Sequence, residues 1–255
     1  MSMSRKIIAA ALAGVFVFFS VPANLGSESQ FAAGDSCFPM REGTVWVYRG
    51  VVRSRDMQLQ KDVSSVVNAK SEIVRVFRGE GFVAALVRGF PADFDWSDGK
   101  TDPRDYLFVQ TRGGDFHVLI SEEKLAENIK KLETPDASVQ DMFSDDDLFM
   151  KFPLKKGLKF CDPEAMKRTD DHYCWVVASV HEVQLDDVKG LKPGKQTAFL
   201  LQYVTNPDDT ELEFVPGLGF ISYRFRHHGT VADTELRLVE YHTGRDTQTM
   251  PGEPR

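Results

Sequence analysis

The chain has 255 residues and a net charge of −7, with 38 acids against 31 bases. That balance repels phosphates at long range, which argues against nucleic acid or an anionic lipid surface as partner. The length suffices for one large β domain or two small ones.

Arg5 and Lys6 precede a 13-residue apolar run, Ile7 to Phe19, and "SVPAN" follows with Val21 and Ala23 in small-residue positions. This order predicts a secretory signal peptide, residues 1–23, cut after Ala23. An uncleaved anchor is the lesser alternative, because a spanning helix needs about 20 apolar residues and Pro22 ends this run early. No Cys follows the run directly and no twin Arg precedes it, which fits ordinary unfolded export. Cleavage removes two bases and no acids, taking the charge from −7 to −9. The expected location is secreted or periplasmic, with no transmembrane span after cleavage.

Residues 24–37 read as a flexible lead-in. "FPMREGTVW", Phe38 to Trp46, then has a near-copy in "FPLKKGLKF", Phe152 to Phe160. In both, Phe-Pro reads as a strand opener. Pro39 and Pro153 lack an N–H and suit a strand's first residue or edge, and they push Phe38 and Phe152 into extended geometry with buried rings. Gly43 and Gly157 supply a bend or positive φ. Trp46 and Phe160 begin an inward face. Strand patterns follow in "TVWVYRGVVR", in the pair turning at Gly79-Glu80-Gly81, and in a hairpin turning at Gly113-Gly114. "EEKLAENIKKL" predicts one short helix, capped by Ser121, with Leu125, Ile129 and Leu132 on one face. An acidic linker puts a boundary near residue 140, giving β halves 38–140 and 141–243. The second half predicts strands in "YCWVVASVHEVQL", "QTAFLLQYV", "TELEFV", "GFISYRFR" and "TVADTELRLVEYH". Turns fall at "LKPGK", Asn206 to Asp209, Pro216-Gly217-Leu218-Gly219 and His228-Gly229. Residues 244–255 read as a disordered tail. The fold class is all-β: an antiparallel curved sheet, sandwich or half-barrel with one short helix and two pseudo-repeats sharing one core. A sheet of nine or more strands must curl, close or split.

Cys161 and Cys174 bracket a polar loop, and in an oxidising compartment they predict a disulfide. Pairing of Cys37 with Cys161 is the runner-up. Zinc on Cys161, His172 and Cys174 lacks an evident fourth ligand. "DFDWSDGKTD", Asp93 to Asp102, places Asp98 and Gly99 one position late for a calcium loop. His181-Glu182 begins like a zinc-protease motif without its second His. Gly34-Asp35-Ser36 lacks the glycines that would frame a serine nucleophile.

"FPMREGTVWVY" and "FVPGLGFISYRF" resemble a broad group of exported bacterial β-rich proteins, many of them lipoproteins. That group shows Phe-Pro-Leu-x-x-Gly-x-x-Trp-x-Tyr near the start and Pro-Gly-Val-Gly near the end. Pro216, Gly217 and Gly219 match the second motif, with Leu218 in place of Val. The resemblance implies an all-β fold and brings no catalytic residues. It does not extend to the lipid-anchor Cys. The reading is a non-catalytic exported or envelope-associated module, with no catalytic residues, metal or cofactor assigned. Its expected partner is an apolar small ligand in a groove, or an envelope protein. The alternative is a metal-assisted envelope hydrolase using the acidic loop or the Cys161–Cys174 region.

Overall fold

A computed structural model describes residues 37–56, 60–94, 100–120, 122–134, 137–144, 147–227 and 232–245. The expected signal peptide, the lead-in up to residue 36, part of the acidic loop, the expected cap at Ser121, the expected turn at His228-Gly229 and residues 246–255 lie outside the described residues.

Twelve strands form one antiparallel sheet, nearly closed as a barrel. The first six are β1 (Val45–Asp56), β2 (Lys61–Gly79), β3 (Phe82–Arg88), β4 (Asp105–Thr111), β5 (Asp115–Leu119) and β6 (Leu148–Lys151). The second six are β7 (Lys159–Phe160), β8 (Trp175–Gln184), β9 (Lys195–Val204), β10 (Asp208–Val215), β11 (Gly219–His227) and β12 (Ala232–His242). Each set is a meander in which consecutive strands pair. β1 joins the sets by pairing with β12, from Val45 opposite His242 to Ser54 opposite Ala232. The spatial order therefore begins at β6 and ends at β7, and the seam of the barrel lies between these two.

Alternation sets the inward face. Trp46, Tyr48 and Val52 of β1 are buried at two-residue spacing. They meet Phe108, Phe116, Phe214 and Phe220 in one core drawn from both meanders. Two short helices occur among the described residues, α1 (Glu122–Leu132) and α2 (Pro163–Met166). α1 covers the outside of β3 and β4. Its Leu125, Ile129 and Leu132 pack with Phe82, Ala84, Leu107 and Val109 in a second cluster. Glu122 and Glu123 open the helix and Lys130 and Lys131 close it, as the helix dipole prefers.

Several expectations need correction. β6 pairs with β5, so the first meander runs past residue 140 and the halves divide after Lys151. Neither Pro39 nor Pro153 begins a strand; β1 and β7 start six residues later. Phe152 instead directly follows β6, its N–H donating to the Gly114 carbonyl at 2.8 Å. Pro153 has no N–H with which to continue that ladder. The Phe152 ring is half-buried, whereas Phe38 is 2 % exposed. Gly244 and Arg245, expected in the tail, are tied to the barrel: Arg245 bridges to Glu42, and the Gly244 N–H donates to Thr44 Oγ1 at 3.1 Å. Cys37 is buried, and its carbonyl accepts from the Gly217 N–H at 2.8 Å. Among the described residues the four-residue α2 joins the expected helix α1.

Candidate binding cavities

The two sequence motifs meet at the start of β1. Trp46 Nε1–H donates to the Leu218 carbonyl at 2.6 Å, and the Tyr48 hydroxyl donates to the Phe220 carbonyl at 2.9 Å. Gly219 has positive φ, and a Cβ there would lie 3.1 Å from the Phe38 ring and 3.2 Å from Trp46 Nε1. Glycine thus allows the β10–β11 turn to close over the Phe38 ring. Phe38 packs against Trp46, Phe108, Phe116, Phe214 and Phe220, with ring centroids 5.3 to 6.4 Å apart. The waist of the barrel is therefore solid, and open space falls at its two ends.

At one end, on the seam, is an aromatic cavity of about 500 Å³. Phe149 of β6, Trp175 of β8 and Tyr203 of β9 form a row, with centroid separations of 4.9 and 5.2 Å. Phe90, Tyr106 and Tyr223 line it from the other side. Burial raises the pKa of the Tyr106 and Tyr223 hydroxyls, so both stay neutral. Asp147 and Asp162 also line the cavity. Asp162 caps α2, accepting from the Glu164 and Ala165 N–H groups at 2.8 and 3.0 Å.

Asp93, from the acidic loop, holds one wall of this cavity. It is 4 % exposed and accepts from the Phe90 N–H at 2.9 Å, the Arg104 N–H at 3.1 Å, the Arg104 guanidinium and the Tyr106 hydroxyl. Its lone pairs are committed to the protein, which leaves little for a cation. Asp98 and Gly99 lie outside the described residues.

Cys161 and Cys174 form a disulfide with their Cα atoms 4.8 Å apart. This is the pairing expected from the sequence, and it leaves neither sulfur as a zinc ligand. The bond closes the base of the β7–β8 connection beside Trp175 and Phe160. Phe160 is 2 % exposed, and Gly157 turns with φ +81°.

A second cavity, of about 670 Å³, opens at the opposite end of the same strands. β8 begins at Trp175 in the aromatic cavity, and Leu185, just past its other end, lines this one. Pro39, Met40, Pro216 and Gly217 contribute walls from the two motifs, and Arg41, Arg78 and Lys192 contribute charge.

Outside the barrel, His181 hydrogen-bonds Glu213 at 3.0 Å and Ser179 at 3.4 Å, and the Ser222 hydroxyl donates to Glu213 at 2.7 Å. The row resembles a serine–histidine–acid set, yet Glu213 alternates with the core residues Leu212 and Phe214 and so faces outward. Around Glu213 and Ser222, β10 and β11 are paired on both sides, which turns their N–H groups along the sheet rather than toward an oxyanion, while Ser179 and His181 lie where β8 pairs with β9. These residues line neither cavity.

Sequence reasoning missed the Phe149–Trp175–Tyr203 row and the Arg41, Arg78 and Lys192 group. Both groups are assembled from residues far apart in the chain, so no local pattern marks them.

No known family's sequence profile matches the chain, and no curated protein matches it. Among solved structures, the chain is similar to a Bacteroides fragilis protein taken to be exported and described as having a YmcC-like fold. That match has 10 % identity and a TM-score of 0.35, and covers 80 % of this chain and 98 % of the other. A Parabacteroides distasonis protein taken to be a lipoprotein matches at 13 % identity and a TM-score of 0.37, covering 80 % and 97 %. At TM-scores this low, neither match fixes the arrangement of the strands.

Proposed function

We propose that this chain is a non-catalytic exported β protein that holds an apolar small ligand in the seam cavity. The observation that carries this reading is the cavity of about 500 Å³ walled by Phe149, Trp175 and Tyr203, where β6 and β7 leave the barrel open. Its volume lies in the range of about 300–1,000 Å³ common to small-ligand sites. Rings already fixed by packing lose little freedom on binding, so stacking an apolar body between them costs little order. Asp147 and Asp162 stand at the lining against one cation, Arg104, which Asp93 already pairs, and this balance suits a ligand that is neutral or carries a hydroxyl or amine. The n-, h- and c-region order ending at Ala23 supports export, and the Cys161–Cys174 bond agrees with an oxidising compartment.

Nile red, a neutral apolar dye, tests the site on exported protein. We expect saturable fluorescence enhancement, with binding weakened at least tenfold in Trp175→Ala and in Phe149→Ala. An unchanged titration in both variants, or no binding at all, rejects the site. Native mass spectrometry of the exported protein would show any retained ligand, and N-terminal sequencing should begin at Asn24.

A further inference from the structure

The seam cavity has a carboxylate on each of its two edges. Asp147 directly precedes β6, Asp162 lies two residues past β7, and both line the cavity. Asp147 Oδ2 accepts from the Ser144 N–H at 2.7 Å and the Ser144 hydroxyl at 2.8 Å, and Asp162 Oδ1 caps α2. Each carboxylate is thus oriented through one oxygen, and a carboxylate has about four lone-pair sites in all. Arg104 is the cation among the described lining residues, and Asp93 pairs it at 2.9 Å. In sequence Asp147 closes the run Asp145-Asp146-Asp147, and the whole chain has a net charge of −7. The rings add a second attraction for positive charge. Phe149, Trp175 and Tyr203 are all half-buried, so part of each ring stays open. Two other lining rings already hold cations of the protein. The Arg104 guanidinium lies 5.8 Å from the Tyr106 centroid, and that of Arg168 lies 5.1 Å from the Tyr173 centroid. A cation within about 6 Å of an aromatic face is drawn by the ring's quadrupole, most strongly at Trp. An ammonium carrying alkyl groups suits both features, because it offers charge to the carboxylates and apolar surface to the rings. A carboxylate or phosphate head would meet like charge. Taking the seam cavity as the ligand site, as proposed above, we infer that its ligand is an organic cation: an ammonium head held by Asp147, Asp162 and the Trp175 ring, with its apolar body against Phe149 and Tyr203.

The test uses the exported full chain, titrated calorimetrically with octyltrimethylammonium and octylammonium below their micelle concentrations, with octanol and octanoate as comparisons. One-to-one binding of an ammonium compound is expected, at least tenfold tighter than octanol, with octanoate the weakest of the four. The tighter of the two ammonium compounds identifies the head group. Asp147→Asn and Asp162→Asn keep an oxygen for Ser144 and for the α2 cap, since Asn caps a helix about as well as Asp. Combined, they should weaken ammonium binding at least tenfold more than octanol binding. Trp175→Ala should weaken both. Octanol or octanoate bound as tightly as the ammonium compounds would overturn the cationic head, and Nile red still bound in the same cavity would leave that cavity standing. Ammonium binding indifferent to Trp175→Ala and to the paired Asn substitutions would mark adsorption to the acidic surface and overturn it as well. If neither Nile red nor an ammonium compound binds, the cavity and the cation fail together.

Discussion

Gly43 and Gly157 occupy matching corners of the two meanders. The Gly43 N–H donates to the Ile73 carbonyl at 2.8 Å, and the Gly157 N–H donates to the Val177 carbonyl at 2.9 Å. The return bonds also match: Ile73 donates to Thr44, and Val177 to Leu158, both at 2.9 Å. Three residues after each glycine, Trp46 stands opposite Ser71 and Phe160 opposite Trp175. Each partner strand then shifts register toward its next neighbour, after Ile73 in β2 and after Val177 in β8. The corners diverge beyond that point. β1 runs for 12 residues, whereas β7 stops after two, where the disulfide and α2 take over the chain.

Both glycines have positive φ, +78° and +81°, with no close side-chain obstacle to a Cβ. Gly43→Ala and Gly157→Ala should therefore each cost about 1 kcal/mol through backbone strain alone. Gly50→Ala should cost more, about 3 kcal/mol, because its Cβ would lie 1.8 Å from the Glu235 carbonyl oxygen of β12. Urea denaturation of the three variants checks that ranking; a Gly50 variant no worse than the others would contradict it.

Phe38→Ala removes a ring that five aromatic neighbours enclose. It should cost about 3–5 kcal/mol. Phe152 is half-buried and packs against Phe214 at 5.7 Å, so Phe152→Ala should cost about 1.5 kcal/mol. Because Phe38 bridges both meanders, the loss should appear in one cooperative transition. Two separated transitions in thermal unfolding would show that the meanders do not share a core.

The Cys161–Cys174 bond closes a short loop, with a sequence separation of 13. Replacing both cysteines by Ala should lower stability by about 3 kcal/mol, mainly by freeing the unfolded chain. The same denaturation curves measure this. Peptide mapping should recover Cys161 linked to Cys174, and a linkage to Cys37 would refute the pairing.

His117 stacks on Phe143 with centroids 4.1 Å apart and planes 8° from parallel. Burial lowers its pKa below the ordinary 6.5, with Asp115 and Asp147 pulling partly back. Between the folded and unfolded pKa values, the unfolded chain binds more protons, so stability rises with pH across that window. The stabilisation is complete above the unfolded value near 6.5 and is lost as pH falls toward the folded one. The effect should be small, because the ring is only partly buried. Melting temperatures from pH 5 to 8 should decline less on the acid side in His117→Gln than in the parent. Parallel profiles would exclude His117 as the cause.

The sequence by itself determined the features that neighbouring residues encode. Two-residue alternation fixed the strands, Gly113-Gly114 and Pro216 to Gly219 fixed turns, and Leu125, Ile129 and Leu132 fixed the helix face. Those signals are local, because a pleat, a turn or a helical stripe is completed within a few residues. Cys161 and Cys174 were legible for the same reason, lying at the two ends of one short loop. Tertiary structure alone decided that β1 pairs with β12, that β6 belongs to the first meander, and that Phe38 fills the waist while Phe152 only follows a strand. It also decided that Asp93 serves Arg104 and Tyr106, that Phe149 reaches Trp175, and that Arg41, Arg78 and Lys192 share one cavity. These relationships depend on how far the sheet curls before β6 approaches β7. That curl sums twist, register shifts and packing over all twelve strands, and no short stretch of sequence contains it.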